Sequence, residues 1–160
     1  MMEPTIKDYI FNELISVEQK HALDFITYLE DKGLYFYRDN SLYWRDKIYY
    51  WIQLEEKCVC FIAINEEGKG SNHWTVWSAD YDLDGQENEQ VKDGIKDSAW
   101  KNVNQCGHCG SCKGGKPKMI FGKKFDEVCG CTFRVDNPTE EDVEFLKFMV
   151  GIRIKEILNG

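Results

Sequence analysis

The feature that most constrains this chain is a cysteine-rich segment from Asn104 to Thr132, which reads NQCGHCGSCKGGKPKMIFGKKFDEVCGCT. It holds five of the seven cysteines. Three cysteines repeat at intervals of three residues, and two more follow a stretch rich in Lys and Gly: Cys106, Cys109, Cys112, Cys129, Cys131. Thiolates this close in sequence can converge on one metal ion. The segment therefore predicts a metal site, for which the rest of the chain serves as a scaffold.

A disulfide framework is the rival interpretation, and it requires an oxidising compartment. The N-terminus shows no basic region followed by an apolar stretch and a small-residue cleavage site. No run of residues approaches the ~20 apolar residues that a membrane-spanning helix needs. We therefore expect a cytoplasmic protein with reduced thiols and no membrane association.

The block Cys106-Gly-His-Cys109-Gly has the spacing of a zinc knuckle. Two residues between the cysteines let both thiolates reach one ion, and the glycine after the second cysteine relieves a tight backbone turn. Structural zinc sites take four ligands in a tetrahedron. Two further ligands must therefore come from elsewhere in the segment.

The candidates for these two ligands are Cys112, Cys129, Cys131 and His108. Cys131 would share the apolar strand face of Phe133 and Val135, which is typical of a core residue. The ring of His108 would point outward, because it stands between two ligands. We predict that the metal ligands are Cys106, Cys109, Cys112 and Cys129. Replacement of one of them by Cys131 or His108 stays open.

An iron–sulfur cluster is the competing cofactor, because Cys-x2-Cys-x2-Cys also opens a bacterial [4Fe–4S] motif. That motif places its next cysteine three residues further on and follows it with proline, whereas this chain has Lys116 at the cysteine position. A distant fourth ligand such as Cys129 would still suit a cluster. Zinc is the predicted cofactor, and an iron–sulfur or thiol redox protein is the alternative.

Hydrophobic periodicity predicts an α+β fold. Apolar residues at helical spacing indicate four helices, at 5–14, 16–33, 86–103 and 138–157. Ser16 and Gln19 have the spacing of a capping box. Between residues 34 and 78 the period changes to two, which predicts an antiparallel meander of four to five strands. We expect one domain over 1–160, with helices on one face of the sheet and a C-terminal cysteine-rich metal loop at 104–131.

Aromatic residues make up 14% of the chain, and such rings must either pack in a core or line a binding surface. Six of them are candidates for lining a ligand surface: Tyr35, Tyr37, Trp44, Trp51, Trp74, Trp77. The net charge of −8 opposes nucleic-acid binding, so the expected partner is a small molecule or a protein. The histidines and carboxylates show no spacing typical of an acid–base pair, and an all-cysteine zinc site is closed. We therefore favour a non-enzymatic role.

Three sequence blocks are similar to those of a known group of proteins. They are C-G-H-C-G-S-C, I-F-G-K-K-F-D-E-V-C and the N-P pair that precedes the terminal helix. Together they resemble a group of uncharacterised small cysteine-rich bacterial proteins, chiefly from anaerobic Firmicutes. The resemblance covers the last third of the chain clearly and the W-T-V-W-S strand loosely. That group has no established activity, so the resemblance implies a coherent bacterial domain and nothing about a reaction.

Overall fold

The computed structural model describes residues 4–39, 48–66, 70–79, 91–105 and 114–159. Within these ranges the chain forms four helices and seven strands, which confirms the predicted α+β class. Their order is α1 (Ile6–Glu13), α2 (Ser16–Asp31), β1 (Tyr35–Arg38), β2 (Ile48–Leu54), β3 (Lys57–Ile64), β4 (Trp74–Ser78), α3 (Asp93–Lys101), β5 (Val103–Gln105), β6 (Lys116–Ile120), β7 (Lys123–Asp136) and α4 (Glu140–Asn159). None of the described helices is long and apolar enough to cross a membrane.

The described strands form one antiparallel sheet in the spatial order β1-β2-β3-β4-β7-β5, with β6 paired to β7. Strands β1 to β4 form the expected meander. The expected number of four to five strands is too low, because β5, β6 and β7 extend the sheet beyond β4. β5, β6 and the first part of β7 overlap the segment that the sequence pattern indicates as a loop, whereas the strand expected from Cys129 through Phe133 and Val135 is the second part of β7.

β6 and β7 form a hairpin, which corrects the loop prediction for residues 116–131. Its turn consists of Phe121 and Gly122, which both have a positive φ (46° and 86°), as a two-residue type I′ turn requires. Ile120 and Phe121 are buried, and the ring of Phe121 lies 6.1 Å from that of Phe148 on α4. Burial of these side chains anchors a segment whose Lys and Gly content is typical of a flexible loop.

The capping box lies on α1 rather than on α2. The Thr5 hydroxyl accepts a hydrogen bond from the Asp8 backbone N–H at 3.3 Å, and the Asp8 carboxylate accepts one from the Thr5 N–H at 2.8 Å. The box predicted at Ser16 is wrong, because α2 begins at Ser16 itself and its N-cap is Ile15. Gln19 instead donates its amide to the carbonyl of the α1 C-cap at 2.8 Å, so its side chain satisfies the end of the preceding helix.

α3 ends at Lys101, before the predicted boundary, and β5 separates it from Cys106. The predicted helix start at residue 86 lies outside the described residues. α4 agrees with the sequence pattern at its buried face. Its first turn is tied to α3 by Asp142, a carboxylate with 3% exposure that accepts a hydrogen bond from the Ser98 hydroxyl at 2.5 Å.

The hydrophobic core lies between the helices and one face of the sheet. In β2, β3, β4 and β7 this face carries four residues that are in register with one another: Tyr50, Ile62, Val76, Val135. All four are buried in the same cluster as the apolar residues of the helices. Because side chains alternate along a strand, the residues one position away lie on the opposite face.

Candidate functional site

Three of the four predicted metal ligands, Cys106, Cys109 and Cys112, lie outside the described residues, as does His108. The fourth, Cys129, lies on β7 with partial exposure. Within the described part of the chain, no three His, Cys, Asp or Glu side chains are grouped so that they could hold a metal. What the described residues show of the predicted site is therefore the arrangement of the strands that flank it.

Residues 106–115, the part of the cysteine-rich segment that holds Cys106, Cys109 and Cys112, are flanked by two residues that both pair with one residue of β7. Gln105, which precedes Cys106 in the chain, is in register with Val128, and Lys116 is in register with the same Val128 on its other side. Cys129 is the next residue along β7. The backbone of β7 thus runs between the two ends of the segment at the position of Cys129.

Burial does not distinguish Cys129 from Cys131, because both side chains are partly exposed. Phe133 and Val135 are fully buried, as the alternation predicts, but the burial does not extend along β7 as far as Cys131. The carbonyl of Cys131 accepts a hydrogen bond from the Asn104 side-chain amide at 3.0 Å. The assignment of Cys129 as a ligand and Cys131 as a core residue therefore stays a prediction.

The other described cysteines lie on β3. Cys60 has 3% exposure, and burial raises its pKa well above the ordinary range. Burial likewise raises the pKa of Cys58 to about 11; nearby Arg153 opposes this effect, and Cys131 adds to it. Both thiols stay protonated at neutral pH, as is typical of cysteines that pack within a sheet.

Cys58 and Cys131 are close enough for their thiols to interact electrostatically, and this interaction adds to the raised pKa of Cys58. Their strands, β3 and β7, lie on either side of β4. The described pairing of β4 reaches Cys60 on β3 and Arg134 on β7, so it does not fix the distance between Cys58 and Cys131.

A row of aromatic residues crosses the sheet on the face opposite the core. Five residues on β1, β2, β3, β4 and β7 are in direct register: Tyr37, Trp51, Phe61, Trp77, Arg134. The ring centroids of Trp51 and Phe61 are 3.7 Å apart, and those of Phe61 and Trp77 are 6.3 Å apart. We call these five residues the aromatic row.

The predicted ligand-lining residues divide between the two faces. Tyr35 and Tyr37 are 63% and 48% exposed, and Trp51 and Trp77 are half-buried on the same face. Trp74 is a correction: with 1% exposure it lies in the core against Phe25, because it alternates with Trp77 along β4 and so has the opposite orientation. The remaining candidate, Trp44, lies outside the described residues.

Charged residues that the sequence analysis did not single out close one end of the aromatic row. The guanidinium of Arg134 lies 4.8 Å from the ring centroid of Trp77 and forms ion pairs with Glu66 at 2.5 Å and Asp136 at 3.2 Å. Asp136 also accepts a hydrogen bond from the Thr75 hydroxyl at 2.8 Å. Glu66 and Thr75 are distant in the chain from Arg134 and Asp136. The signal in the sequence is that Thr75 and Trp77 have the same position parity on β4 as Asp136 and Arg134 have on β7.

Comparison with known proteins identifies no relative: no family model matches the chain, and neither a curated protein nor a solved structure matches it. The arrangement of β5, β6 and β7 around Val128, and the aromatic row, are therefore the observations from which a function can be proposed. The first concerns a metal, and the second concerns a ligand surface.

Proposed function

We propose that this protein binds one zinc ion in a closed structural site formed by Cys106, Cys109, Cys112 and Cys129. The observation that carries the proposal is the pairing of both Gln105 and Lys116 with Val128. A segment whose two ends meet at one strand residue is already closed into a loop, so little further chain entropy is lost when its thiolates converge on an ion. Four thiolates in a tetrahedron are the preferred ligands of structural zinc.

Covalent geometry supports the inclusion of Cys129. Cys106 is bonded to Gln105 and Cys129 to Val128, and bonded neighbours have Cα atoms about 3.8 Å apart. Residues directly opposite in an antiparallel pair have Cα atoms about 5 Å apart. The Cα atoms of Cys106 and Cys129 therefore lie within about 13 Å of each other at most. Side chains that turn toward one another across part of this span can share a metal ion.

The charge of the hairpin also supports a thiolate site. Four thiolates and one zinc ion carry a net charge of −2, which nearby cations stabilise. The β6–β7 hairpin carries four lysines: Lys116, Lys118, Lys123, Lys124. Lys123 lies over the ring of Trp100 at 4.1 Å, and Lys124 is paired with Asp126 at 3.9 Å. The exposed Lys116 is in register with Val128, so it places a positive charge beside the residue that precedes Cys129 in a chain whose overall charge is negative.

Metal analysis of protein purified without oxygen tests the proposal directly. We expect about one zinc per chain and no visible absorption band, because zinc has a filled d shell. The alternative is an iron–sulfur cluster, which would give iron, inorganic sulfide and a broad visible band. Iron with sulfide, or protein never exposed to a chelator that holds no metal, would overturn the zinc assignment.

A second proposed role is the binding of a small molecule or protein on the sheet face that carries the aromatic row. The exposure of Tyr35 and Tyr37 favours it, because large exposed rings are typical of interaction surfaces. Screening of a fragment library by chemical-shift perturbation tests this role. Shifts that cluster at Tyr37 and Trp51 would support it, and shifts confined to other parts of the protein would contradict it.

A further inference from the structure

Strand β1 lies at the end of the sheet, and among the described residues it pairs with β2 alone. The Asp39 N–H donates a hydrogen bond to the Tyr49 carbonyl at 2.9 Å, which continues the register of β1 with β2. Backbone groups alternate in direction along an antiparallel strand, so those of Tyr35 and Tyr37 point toward β2. The N–H and C=O of Phe36 point away from β2, and neither group has a partner among the described residues.

A cavity of about 490 Å³ runs along this free edge of β1. All four residues of the strand, Tyr35–Arg38, line it, although neighbouring residues of a strand lie on opposite faces of the sheet. A space that meets both faces of one strand lies beside the strand rather than over it. The other lining residues belong to the start of α1, the end of α2 and β2. At the spacings of a packed sheet a strand residue fills roughly 150 Å³, so the cavity has room for about three residues of an added strand.

The sequence of β1, Tyr-Phe-Tyr-Arg, is suited to pairing. Aromatic residues favour strands, and β1 has no Pro, Gly or Lys of the kind that protects an exposed edge. A length of four residues is the protection that it does have, and this limits the strength of any added pairing. Tyr35 and Tyr37 are 63% and 48% exposed on one face of the strand. A further strand would cover these rings and the outward backbone groups of Phe36.

We propose that β1 pairs with β1 of a second copy of this chain, in an antiparallel arrangement centred on Phe36. In that arrangement the outward N–H of each Phe36 donates a hydrogen bond to the outward C=O of the other, which satisfies the groups of both copies. The arrangement has two-fold symmetry, so Tyr35 of each copy faces Tyr37 of the other. Rings that face each other across two strands bury part of their exposed surface. The same strand thus supplies both halves of the contact.

The size of this contact predicts a weak dimer. A tyrosine side chain offers about 150–250 Å² of surface, so the two exposed rings of each copy present roughly 200 Å². With the backbone of a short strand added, the total stays below the ~1,200 Å² of a stable protein–protein interface. We therefore expect a dissociation constant between about 10 µM and 1 mM. The association needs neither the proposed zinc ion nor a ligand on the aromatic row, so its test can fail while those roles stand.

Sedimentation velocity and amide hydrogen exchange of the unaltered protein, both measured from about 10 µM to 1 mM, test the self-pairing. We expect the sedimentation coefficient to rise with concentration, and the protection of the Phe36 amide to rise at least about threefold over the same range. The Tyr37 amide points toward β2 in the monomer, so it is the internal reference and its protection should not change. A monomer at the highest concentration, or constant protection at Phe36, would overturn the proposal.

Charge substitutions at the two exposed tyrosines test the register. In Tyr35→Lys/Tyr37→Lys the introduced lysines face each other across the copies, and we expect dimerisation to weaken at least about tenfold. In Tyr35→Lys/Tyr37→Glu each introduced lysine faces an introduced glutamate, so this variant should dimerise at least about tenfold more tightly than the first. A parallel pairing would place like charges together in both variants. Equal dimerisation of the two variants would therefore overturn the antiparallel pairing at Phe36.

Met119→Lys/Leu158→Lys is the matched control, because it adds the same charge as the double lysine variant of β1. Both side chains are exposed and apolar, but they lie on β6 and α4. We expect this control to dimerise within about twofold of the unaltered protein, since surface substitutions away from a contact have small effects. An equal loss of dimerisation in the control and in the double lysine variant would overturn the assignment of the contact to β1.

Discussion

Two strands carry the same Cys-x-Cys pattern, and the fold gives the two pairs different surroundings. On β3, Cys60 is buried, and burial raises the pKa of both Cys58 and Cys60. On β7, Cys129 and Cys131 keep partial exposure at the position where β5 and β6 meet the strand. The Cys-x-Cys pattern alone therefore does not distinguish two packing residues from two metal ligands. What distinguishes them is the set of neighbouring strands: β3 lies between β2 and β4, whereas β5 and β6 both reach β7 at Val128, next to Cys129.

The largest expected difference between the two pairs is in metal binding. Cys129→Ser should reduce the zinc content from about one per chain to near zero, because a three-thiolate site loses most of its affinity. Cys58→Ser is the matched control on β3 and should keep its metal, as should Cys131→Ser. Elemental analysis of dialysed protein measures the effect. Equal metal loss in the Cys129 and Cys58 variants, or loss only in Cys131→Ser, would remove the distinction between the pairs.

The loss of stability should be larger for the cysteine pair on β3 than for the pair on β7. Cys60→Ser introduces a hydroxyl into a site with 3% exposure, and burial of a polar group costs about 1–3 kcal/mol in free energy of unfolding. Cys129→Ser in metal-free protein should change that free energy by less than about 0.5 kcal/mol, because its side chain is partly solvated. Urea unfolding of both variants without zinc measures the difference. A larger loss of stability in the Cys129 variant would contradict the assignment of β3 to the core.

Thiol reactivity tests the cysteine pair on β3 directly. At pH 8 a thiol with a pKa of about 11 carries only ~0.1% thiolate, against roughly a quarter for an ordinary cysteine. Its greater intrinsic nucleophilicity offsets part of this difference. We expect Cys58 in the native protein to be alkylated by iodoacetamide roughly tenfold or more slowly than the same cysteine in an unfolded peptide.

The pH dependence of the Cys58 reaction is the control for this prediction. Its pKa of about 11 predicts an alkylation rate that continues to rise above pH 10. Because the folded-state pKa exceeds the unfolded one, the stability contribution of this thiol is complete below about pH 8.5 and is lost as the pH rises through about 11. A rate that levels off near pH 9 would show that Cys58 is not perturbed by burial.

The smallest expected effect concerns backbone protection after metal removal. Chelation should lower amide protection at Gln105 and Val128 by roughly tenfold or less, since these residues flank the proposed site. Protection at Ile120 should persist because the hairpin turn is anchored in the core, and protection across β3 should be unchanged. Hydrogen exchange with mass spectrometry gives these values. Loss of protection in β3 would show that the metal supports the whole fold.

Local patterns predicted most of the fold. Apolar residues at helical spacing indicated the four helices, and alternation indicated the meander of β1 to β4, because a face that packs in a core requires those periods. The hairpin of β6 and β7 was missed because its anchor is small. Between residues 116 and 127 the buried side chains are Ile120 and Phe121, and the partner of Phe121 on α4, Phe148, is distant in sequence. A high content of lysine and glycine indicates that a segment by itself prefers a flexible loop. It gives no information about apolar partners elsewhere in the chain.

The amino-acid sequence supplies the chemical groups of this protein: thiols at knuckle spacing, an excess of acidic residues, and many aromatic rings. Which of these groups come together follows from the fold. Trp74 and Trp77 belong to one strand, yet one is in the core and the other is in the aromatic row. Arg38 and Tyr9 are separated in sequence, yet the Arg38 guanidinium donates a hydrogen bond to the Tyr9 hydroxyl. The spacing of residues along a strand fixes the face of the sheet on which each side chain lies. The residues that it contacts on that face depend on which strands pair with each other.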